Sequence, residues 1–144
     1  MSTSELAQLY QEELLALAKD GSHRCECKDF THFNHGKNPL CGDTVEIYFR
    51  VDQGKIQKVC HAGDGCAISQ ASAALVAQVL EGQLLDAALE AIETISSELA
   101  QETKALTGMP AEVLRILGGV RKFPVRLRCA LLAWKSAELA LKGS

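Results

Sequence analysis

The stretch Val45-Glu46-Ile47-Tyr48-Phe49-Arg50-Val51, then Asp52-Gln53-Gly54, then Lys55-Ile56-Gln57-Lys58-Val59-Cys60-His61-Ala62, decides the fold class. Val45, Ile47, Phe49 and Val51 alternate with Glu46, Tyr48 and Arg50. That period of two puts apolar side chains on one face of a half-buried strand. Asp52-Gln53-Gly54 supplies a hairpin turn, and the return strand runs to about Ala62, ended by Gly63-Asp64-Gly65. An antiparallel hairpin therefore sits near the middle of the chain.

On either side the pattern is helical. Glu5 to Lys19 carries Leu6, Leu9, Tyr10, Leu14, Leu15 and Leu17 at helical spacing, with Ser4 as N-cap and Asp20-Gly21 as stop. After Cys66, the alanine-rich run Ser69 to Glu81 reads as a helix stopped by Gly82. Leu85 to about Leu106 reads as a longer one, ended by Gly108-Met109-Pro110. Pro110 opens a short helix to Leu117, which Gly118-Gly119 terminates, and a last helix starts near Pro124 and passes Leu141. Ser22 to Pro39 has no periodicity and reads as a long loop holding His23, His32 and His35. The class is α+β, a small antiparallel sheet packed against a helical bundle, in one domain spanning 1–144.

Composition narrows the function. Lys and Arg number 15 against 18 Asp and Glu, so the basic surplus of a duplex-binding protein is missing and no nucleic-acid partner is expected. Apolar runs are far short of the ~20 residues that span a bilayer, so no membrane association is expected either. The polar, acidic start Met1-Ser2-Thr3-Ser4-Glu5 is unlike a secretory leader, which points to the cytoplasm. Thiols stay reduced there, so the six cysteines call for metal binding or chemistry and not a disulfide framework.

Three of those cysteines fall at the ends of elements. Cys41 lies in Asn38-Pro39-Leu40-Cys41-Gly42-Asp43, just before the hairpin. Cys66 lies in Gly63-Asp64-Gly65-Cys66-Ala67-Ile68-Ser69, between strand and helix, and Cys129 in the first turns of the last helix. With Asp43 they form a set of three thiolates and one carboxylate, suited to a tetrahedral site for a borderline-soft cation such as zinc. The positive end of a helix near Cys66, and Arg126 and Arg128 beside Cys129, suit anionic ligands. The alternative is that each cysteine is a small buried hydrophobe, and no local CxxC signature decides between the two.

These segments, with Ala71-Ser72 and with Lys-Phe-Pro-Val-Arg-Leu-Arg-Cys-Ala at 122–130 followed by Leu132-Ala133-Trp134, resemble the U-type iron–sulfur cluster assembly proteins: IscU, SufU and the N-terminal domain of NifU. The long stretch between Cys66 and Cys129, and Arg128 where IscU has histidine, look most like the SufU branch. The resemblance implies a SufE/NifU-like fold with about three strands and a zinc site made by Cys41, Asp43, Cys66 and Cys129. It implies a pyridoxal-phosphate-dependent, SufS-like cysteine desulfurase as partner, with Cys41 accepting persulfide sulfur once a desulfurase histidine replaces it on the metal. Downstream partners would be an iron–sulfur scaffold or apo-protein acceptors. As an enzyme, the protein would be a zinc-dependent sulfurtransferase. Two further readings stand beside this one: a scaffold that builds a [2Fe–2S] cluster on the same ligands, and a structural zinc module.

The chain departs from those relatives after its first helix. Their Asp-His or Glu-His pair and Pro-Arg-Asn-like stretch are replaced by Ala16-Leu17-Ala18-Lys19-Asp20-Gly21-Ser22-His23-Arg24-Cys25-Glu26-Cys27, in the region that faces the partner in the family. Cys25 and Cys27 with His23 nearby are candidates for a second metal or sulfur-relay site, against the reading that they have no role. Cys60 reads as structural and His61 as partly buried or solvated, while His32 and His35, upstream of Cys41, read as surface-loop histidines or as residues that approach the metal. Asp64 is placed to tune the Cys66 turn, and Arg126 and Arg128 to attract the desulfurase or hold a persulfide, or else to be ordinary solvated charges.

Overall fold

The structure, a computed structural model, describes residues 12–24, 28–39, 42–100, 113 and 116–143. Its described elements are helix α1 (Glu12–Lys19), strands β1 (His32–Asn38), β2 (Asp43–Asp52) and β3 (Lys55–Ala62), and helices α2 (Ala67–Leu80), α3 (Leu85–Ala100) and α4 (Pro124–Lys142). A 3-10 turn, Gly118–Lys122, leads into α4. The glycine pair at 118–119 thus starts a tighter helical turn where the sequence suggested a plain stop. The expected N-cap Ser4 and the stretch from 101 to Pro110 lie outside the described residues.

The sheet is antiparallel in the order β1-β2-β3. The hairpin matches its sequence reading, with Gln53 (φ 52°) and Gly54 (φ 76°) at the turn. β1 is a correction, because it lies inside the stretch read as a loop. It pairs with β2 from His32 opposite Phe49 to Asn38 opposite Asp43. Its inward positions are His32, Asn34, Gly36 and Asn38, so no apolar alternation marks it. One extra residue, Gln57, bulges β3 between the pairs Arg50–Lys58 and Val51–Ile56.

Val45, Ile47 and Phe49 of β2 and Ile56 and Val59 of β3 turn inward onto the helices. Each large side chain buried this way stabilises the fold by roughly 1.5–3 kcal/mol. α2 is the central helix, packed against α1, α4 and β3. It is buried on most of its surface, which its alanine-rich sequence permits by letting neighbours approach closely. Ser72 Oγ inside this contact donates to Ala130 O of α4 at 2.6 Å. α4 lies against β1 and β2 with Trp134 fully buried. A Cβ on Gly36 would collide with Ser136 Oγ, so glycine lets α4 settle on β1 there with Ser136 in its present position.

The outer face of the sheet carries an aromatic cluster, with Phe33 4.7 Å and Phe30 5.3 Å from Tyr48 between ring centroids. Beneath Tyr48, Cys60 is fully buried. The outer edge of β3 is covered along its length. Ile56 N–H donates to Gln83 O, Val59 N–H to Glu81 Oε2, and His61 N–H to His23 O. No helix among the described residues is long and apolar enough to cross a membrane.

Candidate metal centre

The site begins with the turn that leaves β3. Gly63 has φ +125°, and a Cβ there would collide with the Thr44 carbonyl, so the turn needs glycine. Each carbonyl of the turn has a donor from a different part of the fold. Arg24 Nη2 donates to Gly63 O at 2.6 Å, Thr44 N–H to Asp64 O at 2.7 Å, and Gln70 Nε2 to Gly65 O at 2.9 Å. Asp64 N–H donates in return to Thr44 Oγ1 at 3.1 Å. The sequence singled out Asp64 for this turn; the structure shows that its main chain, gripped by Thr44, does the work.

The turn delivers Cys66 to the N-cap of α2, with extended backbone (φ −67°, ψ 168°) and Ser69 N–H donating to its Sγ at 3.5 Å. Sulfur thus stands at the positive end of the helix, where negative charge is favoured. Asp43, the first residue of β2, is buried beside it and accepts from Cys66 N–H at 3.3 Å through Oδ1. The Cys66 thiol points at Asp43 Oδ2, 3.6 Å away. Cys129, fully buried in the second turn of α4, completes a group whose three donor atoms lie within 4.8 Å of one another.

Two sulfurs and one carboxylate oxygen suit a metal of zinc's character. Ideal tetrahedral zinc bonds of ~2.3 Å to sulfur and ~2.0 Å to oxygen separate a sulfur and an oxygen ligand by roughly 3.5 Å and two sulfurs by roughly 3.8 Å. The observed 3.6 Å between Cys66 Sγ and Asp43 Oδ2 meets the first figure. The 4.8 Å limit on the group asks for at most about 1.3 Å of closure. The residues present therefore fit the ion. Cys41, two positions before Asp43 in the chain, lies outside the described residues, as do Cys25 and Cys27.

Residues 9–143 match the family model described as the NifU-like N terminal domain. The chain belongs to that family. Among its relatives is the iron-sulfur cluster assembly scaffold protein IscU of Streptococcus pyogenes serotype M1, 32% identical over all of this chain and 89% of that one. Another is the zinc-dependent sulfurtransferase SufU of Bacillus subtilis, 34% identical over 70% of this chain and 68% of that one. The crystal structure of FiSufU from Fervidobacterium islandicum AW-1 superposes with a TM-score of 0.81 at 33% identity, covering 93% of this chain and 97% of that one. The N-terminal part of a nitrogen-fixing NifU-like protein from Brucella abortus shares the fold, with a TM-score of 0.83 at 20% identity.

Around this NifU-like centre the other candidates separate. Arg128 is exposed and Arg126 half-buried at the start of α4. Arg128, with Lys37, Lys135 and Leu131, lines a groove of about 580 Å³ between β1 and α4 that reaches Pro39, two residues before Cys41. The histidines are engaged elsewhere: His35 Nδ1 is 3.5 Å from Glu46, His23 Nε2 is 3.3 Å from Glu81, and His32 Nδ1 is 2.7 Å from Thr31 Oγ1. His61 is 3% exposed, and its pKa falls to about 4. Burial is the main cause, helped by the positive charges of Arg24 and His23 and opposed by Asp20. Sequence reasoning missed Arg24, Thr44 and Gln70. Their contribution goes to main-chain carbonyls, which leave no residue-type signature.

Proposed function

We propose that this protein works in iron–sulfur cluster assembly as a sulfur-transfer protein. In this reading Cys41, Asp43, Cys66 and Cys129 hold a zinc ion, and Cys41 receives persulfide sulfur from a pyridoxal-phosphate-dependent cysteine desulfurase. The observation that carries the reading is the meeting of Asp43, Cys66 and Cys129 within 4.8 Å, from three elements widely separated in the chain. The names of the relatives, a zinc-dependent sulfurtransferase and cluster-assembly scaffolds, support it.

Zinc bound there would keep its cysteine ligands as thiolates at neutral pH. The chain's own groups do the rest. Asp43 Oδ1 accepts from Cys66 N–H and orients the carboxylate, while the α2 N-terminus and Ser69 N–H hold the Cys66 sulfur. Burial of Cys129 keeps water from that side of the centre. In the transfer step the Cys41 thiolate attacks the outer sulfur of the desulfurase persulfide. A new S–S bond forms on Cys41 as the old one breaks, and the desulfurase cysteine leaves as thiolate, with no net oxidation.

The test mixes the protein with cysteine and a cognate desulfurase, then locates added sulfur by peptide mass. Sulfur on Cys41 in the wild type, and its loss in a folded Cys41→Ser variant, is the expected result. Sulfur on Cys25 or Cys27 with none on Cys41 overturns the assignment. The relatives named as scaffolds favour a second reading, in which a [2Fe–2S] cluster is cargo built on the same ligands. A stable, stoichiometric cluster after anaerobic reconstitution, seen by its visible absorption, would replace the sulfur-carrier reading.

A further inference from the structure

We infer that Arg24 is a positioning residue for the metal centre, acting through the Gly63–Gly65 turn. The inference rests on the reading that Asp43, Cys66 and Cys129 hold the ion.

The turn at 63–65 is short and contains two glycines, so little of its shape comes from its own side chains. Its shape comes from the three donors outside it, and Arg24 has the longest reach of these in the chain. The guanidinium spans two acceptors at once. Nη2 meets Gly63 O at 2.6 Å, and Nη1 meets Gln70 Oε1 at 3.5 Å. Gln70 in turn donates to Gly65 O, so Arg24 and Gln70 grip both carbonyls that flank Asp64. A fork of donors can make such a two-point grip, whereas a lysine ammonium is a single compact head.

The backbone of Arg24 is itself held. Arg24 N–H donates to Gly21 O, and the residue pairs with His61 on the edge of β3. The sheet edge therefore fixes the start of this arm, and the guanidinium fixes the turn. Metal affinity depends on how well the ligands are held before the ion arrives, since ordering them on binding subtracts from the binding energy. Releasing Gly63 O would loosen the approach to Cys66 and leave Asp43 and Cys129 where they are.

The experiment measures zinc affinity by competition with a chromophoric chelator, and the visible spectrum of the cobalt-substituted protein, for wild type, Arg24→Ala, Arg24→Lys and Gln70→Ala. Loss of supporting contacts around metal ligands typically weakens binding 10–100-fold, and the indirect grip here places Arg24→Ala at about tenfold. Arg24→Lys recovers part of that loss. Gln70→Ala weakens binding in the same direction, and the double variant falls short of the product of the two effects, because both residues hold one turn. The cobalt–thiolate absorption shifts in Arg24→Ala. Arg24→Ala binding zinc within twofold of wild type overturns the inference, and so does Arg24→Lys matching wild type, which would make charge and not the grip responsible. Amide hydrogen exchange on the metal-free proteins supplies a second reading. Exchange at Asp64 and Cys66 rises in Arg24→Ala while Ile47 is unchanged; no rise overturns the grip. Wild type that binds no zinc defeats the metal reading alone, and the exchange result then decides the grip.

Discussion

His61 should make the stability of the metal-free protein depend on pH between about 4 and 6.5. The imidazole is 3% exposed on β3, and its Nε2 has no hydrogen-bond partner among the described residues. Arg24 and His23 crowd it with positive charge, and Asp20 offers partial relief, so protonating it in the folded state is unfavourable down to pH about 4. The unfolded chain takes up that proton near the ordinary pKa of ~6.5. The sign follows directly: below pH 6.5 the unfolded state binds more protons than the folded one, so stability falls as pH falls. The penalty is absent well above pH 6.5, about 1 kcal/mol at pH 5.5, and grows to a limit of roughly 3–4 kcal/mol well below pH 4. Urea unfolding with a metal chelator present, at pH 7.5, 6.5, 5.5 and 4.5, measures it. Other groups titrate in this range, so the comparison is with His61→Gln, which keeps polarity and similar size without the titration. The gap between the two stability curves should shift by roughly 2–3 kcal/mol from pH 7.5 to 4.5 in favour of the variant. Parallel curves would refute the argument that burial keeps His61 neutral.

Gly36→Ala should lower stability by about 1–3 kcal/mol, because its Cβ enters the space of Ser136 Oγ, and Ser136→Ala in the same chain should restore part of it; thermal unfolding of the single and double variants checks this. Ser72→Ala removes the 2.6 Å bond to Ala130 O and should cost about 1 kcal/mol by urea denaturation, with α2 and α4 otherwise in place. Asp43→Asn and Asp43→Ala should both weaken zinc binding in a chelator competition. Only the alanine variant should also lose about 1–2 kcal/mol of metal-free stability, since asparagine still accepts from Cys66 N–H.

The parts of the fold that were legible are those whose burial alternates by residue type. β3 runs from Lys55 to Ala62 as the sequence indicates, because Val45, Ile47 and Phe49 set the register of the hairpin and Gln53-Gly54 close it. β1 was illegible for a physical reason. Its inward residues are polar or glycine, and the contact that matters at Gly36 is made by the absence of a side chain under α4. The metal set was visible as residue types at the ends of elements, and Asp43, Cys66 and Cys129 do converge. Their convergence depends on how α4 crosses the sheet, which no local pattern encodes. Arg24 was the hardest to foresee, since it acts on carbonyl groups that every residue possesses.

The three placed donors differ in how the fold holds them, and that difference bears on how a labile centre can work. Cys129 is sealed inside α4 and cannot move without disturbing the core around Trp134 and Ala130. Asp43 is buried but begins a strand, next to the Gly42 turn. Cys66 is half-buried, and the turn behind it is shaped by donors borrowed from elsewhere. Any molecule approaching from solvent therefore meets Cys66 before Cys129. A centre with one immovable ligand and adjustable ones at its mouth can release or exchange an occupant without unfolding, because small displacements of the turn change affinity while the anchor keeps the position. Two immovable ligands would favour storage. If these residues hold an occupant as proposed, the arrangement favours passage over storage.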